Sequence, residues 1–140
     1  MDTILYFENI EIGQCLSPII RDITSDRIDS YAEAADDFNP IHLNPELAEI
    51  NPFGGTVAYG TIPLAFISTL LNENFGTAWT FGGNMDVTFN KPVRRGDTVF
   101  AKSIVLGKKV EDGKKIIELS ISCENQRGDV IVAGKATVSF

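Results

Sequence analysis

The stretch TIPLAFISTLLNEN, residues 61–74, decides the fold. Its apolar residues at 62, 65, 66 and 70 recur at helical spacing, but 64, 67 and 71 are apolar too, so the helix is greasy nearly all round. A helix of that kind must be wrapped by other elements. Pro63 suits the first turn, where its missing donor has no partner anyway, and Gly76 can close the far end. Beyond it the period changes: Met85, Val87 and Phe89 alternate with Asp86, Thr88 and Asn90, which is strand spacing. Further strands read at about 98–106, 115–124 and 130–140, joined by the turn-rich segments EDGK (111–114) and NQRGD (125–129). Neighbouring strands are expected to pair antiparallel. With no internal repeat, low-complexity tract or linker in view, the expectation is one α+β domain over residues 1–140, an antiparallel sheet wrapped around a long apolar helix.

Upstream, Thr24 or Ser25 can cap a helix that presents Ile28, Tyr31, Ala32 and Ala35 on one face and Asp26, Asp29 and Glu33 outward, ending near Asp36. Between the two helices, DFNPIHLNPELAEINPFGG (37–55) holds three Asn-Pro pairs and then Gly54-Gly55. These interrupt regular structure and allow at most one short helix, after Asn44-Pro45. An ordered, Pro-stiffened polar loop in an otherwise apolar small chain is where function tends to sit.

The 140 residues are 44% hydrophobic and include nine Phe, three Tyr and one Trp, enough for a sizeable core and against disorder as the main state. A formal charge of −7 argues against general nucleic-acid binding by phosphate neutralisation. The charge is uneven: residues 1–76 carry two basic and twelve acidic side chains, residues 77–140 ten basic and seven acidic. An anionic ligand is better received by the second half. Cys15 and Cys123 stand far apart with no second pair, so reduced thiols are expected in place of a disulfide framework or zinc knuckle. The acidic N-terminal stretch has no export signal, and the apolar run 62–71 is well short of a membrane span, so a cytoplasmic protein without membrane contact is expected.

Nucleophile-elbow, phosphate-loop, dinucleotide and H-E-x-x-H motifs are all absent. The single histidine, His42, lies in DDFNPIH with Asp36, Asp37 and Asn39. Imidazole both takes and returns a proton near neutral pH, and a nearby carboxylate can polarise or deprotonate a water. Pro40 stiffens the segment between them, which holds acid–base geometry. The plainer alternative is a capping or turn histidine with a satisfied hydrogen bond. A metal site is not expected, because one His with scattered carboxylates lacks a multi-ligand spacing.

YAEAADDFNPIHLNPELA, residues 31–48, resembles the hydratase motif of the MaoC-like or (R)-specific enoyl-CoA hydratase family, Asp-x-Asn-Pro-apolar-His, at Asp37, Asn39, Pro40 and His42. TVAYGTIPLAFISTLL (56–71) resembles the segment entering that family's central helix, and MDVTFNKPVRRGDTV (85–99) its strand with a Phe, Pro and Gly-Asp pattern. The resemblance covers most of the chain and implies a hot-dog fold in a homodimer, with the site near the subunit interface. It implies reversible syn addition of water to a trans-2-enoyl thioester of coenzyme A or acyl carrier protein, giving a (3R)-hydroxyacyl thioester without metal or redox cofactor. By the same resemblance Asp37 and His42 hold and activate the water and shuttle the proton to C2, and Asn39 orients the pair. Gly60 matches the glycine whose backbone N–H is aimed at the thioester oxygen, and Ser68 matches a serine on the pocket side of the helix.

Each of these residues has a plainer reading beside the functional one. Gly60 also suits a turn or N-cap, and Ser68 can bond its own helix backbone. Lys91, Arg94 and Arg95 suit the phosphates of coenzyme A or the acidic face of a carrier protein, or are solvated strand-end charges. Phe53, Phe66 and Trp79 suit an acyl tunnel or plain core. One departure is plain: many family members have His-Gly where this chain has Tyr59-Gly60. Tyr donates a hydrogen bond but does not carry a proton in the same pH range, which points to a difference in substrate class or in the oxyanion side. Two other functions share the fold. A non-catalytic acyl-thioester-binding subunit has no need to keep Asp37, Asn39 and His42 together, and a hot-dog thioesterase drives water to the carbonyl carbon and frees the thiol.

Overall fold

A helix apolar on nearly every side requires cover on nearly every side, and the computed structural model, which describes residues 4–140, supplies it with a sheet. The described elements run β1 (Ile19–Asp22), α1 (Ser25–Ala35), α2 (Pro40–Leu43), α3 (Thr61–Phe75), α4 (Thr77–Gly82), β2 (Gly83–Phe89), β3 (Thr98–Glu111), β4 (Lys114–Asn125) and β5 (Val130–Ser139). Turns of 3₁₀ helix lie at Phe7–Asn9 and Pro45–Glu49. The strands form one antiparallel sheet in the order β1-β3-β4-β5-β2.

Helix α3 buries Ile62, Pro63, Phe66, Ile67, Leu70, Leu71 and Phe75. Opposite it, every second residue of β4 from Ile117 to Cys123 is buried, the period-two signature of a one-sided core. Each fully buried Leu, Ile or Phe contributes roughly 1.5–3 kcal/mol, so this interface holds the fold together. Thr61, Ala65, Thr69 and Asn72 leave a narrow exposed stripe on the same helix. Gly76, at φ 54°, closes α3 by donating its N–H to the Asn72 carbonyl.

The β3–β4 hairpin turns on Asp112 and Gly113, both at positive φ (51° and 76°), a two-residue geometry whose twist matches that of the strands. Several expectations are corrected. The strand expected at 98–106 continues to Glu111, because a register shift between Val105 and Gly107 lets pairing with β4 resume through a polar segment without apolar alternation. Strand β2 pairs with β5, not with β3, its successor in sequence. A short helix begins at Pro40 as well as the turn after Asn44, because Asn39 caps it and Pro40 takes its first position. No sequence signal marked β1 or α4. Among the described residues no helix is long and apolar enough to cross a membrane.

The two thiols differ in kind. Cys15 is exposed, whereas Cys123 is buried against the core, donates to the Pro63 carbonyl at 3.3 Å, and has its pKa pushed up to about 12 by burial. A thiol reagent is expected to label one cysteine in the native protein and two in denaturant, as counted by mass spectrometry. Because the folded state holds the Cys123 proton more tightly than the unfolded state, that contribution to stability is full below about pH 9 and is lost as pH rises toward about 12.

Candidate active site

The polar residues of the loop after α1 are used to shape its own backbone. Asp36 takes the left-handed conformation (φ 53°), a position that Asp tolerates better than most side chains, and this lets the Asp37 N–H donate back to the Ala32 carbonyl at 3.0 Å. The Asp37 carboxylate accepts from the Asn39 N–H, and the Asn39 side-chain oxygen accepts from the Ile41 N–H, each at 3.1 Å. Asn39 is thus the cap of α2, the turn that carries His42. Asp37 is itself half-buried.

The His42 ring is fixed in two ways. Its Nδ1 lies 2.7 Å from the Val57 carbonyl oxygen, which can only accept, so Nδ1 carries a proton, and in the neutral tautomer this contact selects the lone pair falls on Nε2. One ring face rests on Tyr59, with centroids 3.9 Å apart and planes inclined at 33°. Tyr59 is almost wholly buried and donates its hydroxyl to the Asp37 carbonyl at 2.5 Å. Burial first, then the charge of Asp37, raises its pKa above the ordinary phenol value, so it stays a neutral donor.

Beside His42 opens a cleft of about 340 Å³, walled chiefly by apolar side chains such as Ile41, Phe53, Val57 and Ile131. His42, Gly60 and Lys91 share its wall, whereas Asp37 and Asn39 lie on the loop that carries His42 and not in the wall itself. Gly60 takes helical dihedrals (φ −59°, ψ −26°) just before α3, and its N–H donates to no group among the described residues. A Cβ on Gly60 would come within 3.1 Å of the Phe89 ring. Because that ring is half-exposed and can shift, Gly60→Ala is expected to fold with a Tm within a few degrees of the parent. By the resemblance, which makes Gly60 the oxyanion donor, it should nevertheless lower kcat/KM on an enoyl thioester by roughly tenfold to a hundredfold, since the added Cβ stands in the cleft wall.

Other sequence candidates are placed elsewhere. Ser68 accepts a hydrogen bond from Trp79 Nε1 at 3.2 Å and lines a second cavity of about 370 Å³ with Asn72 and Thr80; it bonds neither its own helix backbone nor any group of the first cleft. Phe53, Phe66 and Trp79 do not form one tunnel: Phe53 walls the first cleft, Trp79 the second, and Phe66 is buried under Arg27. Lys91 pairs with Asp129 at 2.7 Å while remaining largely exposed at the cleft. Arg94 donates to the carbonyls of Phe53 and Thr56 and so clamps the loop that forms one wall, and Arg95 sits 4.0 Å from Asp29. The cation run is therefore one cleft residue, one loop clamp and one loosely paired surface charge. Asp97, buried, accepts from the Arg94 N–H and from Gln126, each at 2.9 Å, which ties the 94–97 turn to the 125–129 turn.

Sequence reasoning missed the Val57 carbonyl, Tyr31 and the clamping role of Arg94. A carbonyl carries no sequence signal, and the Tyr59-Gly60 departure pointed to substrate class or the oxyanion side, not to packing on His42. Among the described residues no three His, Cys, Asp or Glu side chains converge as a metal-binding group.

Known proteins share the sequence and the fold of this chain. A family profile described as MaoC like domain matches residues 9–126. An (R)-specific enoyl-CoA hydratase of Rhodospirillum rubrum is 35% identical over 133 residues, covering 95% of this chain and 90% of that protein. A 3-hydroxybutyryl-CoA dehydratase of Methylorubrum extorquens is 31% identical, covering 96% and 83%. In structure, the (R)-hydratase from A. caviae involved in PHA biosynthesis superposes with a TM-score of 0.77 at 26% identity, over 94% of this chain and 97% of that one. The wrapped helix is therefore a hot-dog fold, and the chain belongs to the MaoC-like family.

Proposed function

We propose that the protein adds water reversibly across the double bond of a trans-2-enoyl thioester, giving a (3R)-hydroxyacyl thioester. The observation that carries this reading is the His42 ring, its Nδ1 committed to the Val57 carbonyl, in the wall of an apolar cleft that also takes in Gly60 at the amino end of α3. Relatives named for this hydration and for its reverse support it.

The chemistry follows from the charge that develops. Attack of water oxygen at C3 moves an electron pair toward the thioester oxygen, so the site needs donors there and a base at the water. His42 Nε2 and the Asp37 carboxylate hold the water; a proton leaves it as the C3–O bond forms and is returned to C2, so that one water is added in all. The free Gly60 N–H receives the charge on the thioester oxygen. Lys91, exposed at the cleft, meets the phosphates of coenzyme A or an acidic carrier protein.

The working unit is a homodimer. Strand β2 is one edge of the sheet, Phe81 and Phe89 near it are exposed, and Ala65 and Thr69 leave an exposed patch on α3. Light scattering is expected to return twice the 15.3 kDa chain mass. The stereochemical test runs the reaction backwards on the two hands of a short 3-hydroxyacyl-CoA. Conjugated absorbance is expected to appear with the (3R) thioester alone; appearance with the (3S) form would overturn the assignment.

A further inference from the structure

We infer that Tyr59 is the positioning residue of this site: its ring fixes the plane of the His42 imidazole, and its hydroxyl fixes the backbone at Asp37, so one buried side chain sets both halves of the acid–base pair. This rests on the hydratase reading above. The hydroxyl reaches back 22 residues in sequence to the Asp37 carbonyl, and the ring gives one contact to the imidazole at 3.9 Å. Tyr31 of α1 packs on the same ring at 4.5 Å, and its own hydroxyl accepts from Thr61, the first residue of α3, at 2.5 Å. Tyr59 is thereby braced against the two helices that flank the catalytic loop. A tyrosine needed only to fill the core would be served equally by phenylalanine, and its hydroxyl would have no reason to meet the one loop that carries the candidate acid and base.

The two functions of the side chain separate by substitution. Tyr59→Phe keeps the ring and removes the hydrogen bond; Tyr59→Leu removes both. Because small errors of position cost large factors in rate, kcat is expected to fall about tenfold in Tyr59→Phe and about a hundredfold in Tyr59→Leu, with KM within about twofold. His42 is the one histidine of the chain, so its imidazole proton resonances are free of overlap from other histidines. Stacking on Tyr59 should displace them upfield in the parent and in Tyr59→Phe, and the displacement should vanish in Tyr59→Leu. An unchanged kcat in Tyr59→Phe, a loss confined to KM, or a histidine spectrum indifferent to Tyr59→Leu would overturn the inference. Should Tyr59→Leu fail to fold, the Phe variant, which conserves volume, decides it on kcat. A parent that shows the stacking displacement but hydrates no enoyl thioester would sink the hydratase reading and leave the positioning geometry standing.

Discussion

Asp37→Asn and His42→Gln are each expected to lower kcat for enoyl-thioester hydration about a thousandfold, near the middle of what a positioned acid or base contributes. That factor corresponds to about 4 kcal/mol of transition-state stabilisation. Asn at position 37 still offers an oxygen to the Asn39 N–H, and neither side chain is part of the buried core, so circular dichroism and Tm should match the parent. The double variant should be little worse than the weaker single one, because residues that act on the same water do not contribute additively. An effect of tenfold or less in both single variants would remove the pair from the chemistry and leave His42 as a turn residue satisfied by the Val57 carbonyl.

Gly134→Ala is expected to cost the fold. A Cβ at this point in β5 would overlap the Asp86 carbonyl oxygen and stand 2.8 Å from the Val87 Cα, both backbone atoms of β2. No rotamer relieves a collision with backbone, so β2 must leave β5 and the ladder from Gly83↔Val138 to Phe89↔Val132 must open. With it goes the Phe89 ring against Gly60. A loss of more than about 3 kcal/mol, or insoluble protein, is expected, in the range reserved for overpacking against an immovable neighbour. Gly107→Ala is the matched control, because there the nearest atom, 3.2 Å away, is the end of the flexible Glu118 side chain. Urea unfolding of the two variants should separate them by more than about 2 kcal/mol.

Much of this architecture is legible in the residues, and what is not has a physical reason. The all-round greasiness of 61–74 required a wrapping layer, and the alternation after Gly83 made that layer a sheet. Local pattern does not encode which distant strand supplies the partner, so the pairing of β2 with β5 had to come from the structure. Strand β1 has only four residues, and the distal half of β3 carries Gly107-Lys108-Lys109 where alternation would be looked for; its pairing with β4 sustains it.

The site divides similarly. Asp37, Asn39 and His42 were legible as candidates because their side-chain types stand at a recognisable spacing, and the fold brings His42, Gly60 and Lys91 to one cleft. Lys91, Arg94 and Arg95 look alike as a run of cations, yet Arg94 is consumed by two loop carbonyls. Such differences are set by what lies across the gap, and Phe53 and Thr56 are about forty residues away. Tyr59 read as a departure from the family pattern; only the packing shows that its hydroxyl faces the Asp37 carbonyl.

The most direct test of the central claim follows the ultraviolet absorbance of a short trans-2-enoyl-CoA with the purified protein, with free thiol monitored in the same reaction. Hydration predicts loss of the conjugated absorbance with no thiol released, and near-complete suppression of that loss in Asp37→Asn of unchanged circular dichroism. Thiol release in step with the absorbance change would show attack at the carbonyl carbon and contradict the account. So would silence in both channels across coenzyme A, carrier-protein and branched enoyl thioesters, which belongs to a subunit that binds acyl thioesters without transforming them.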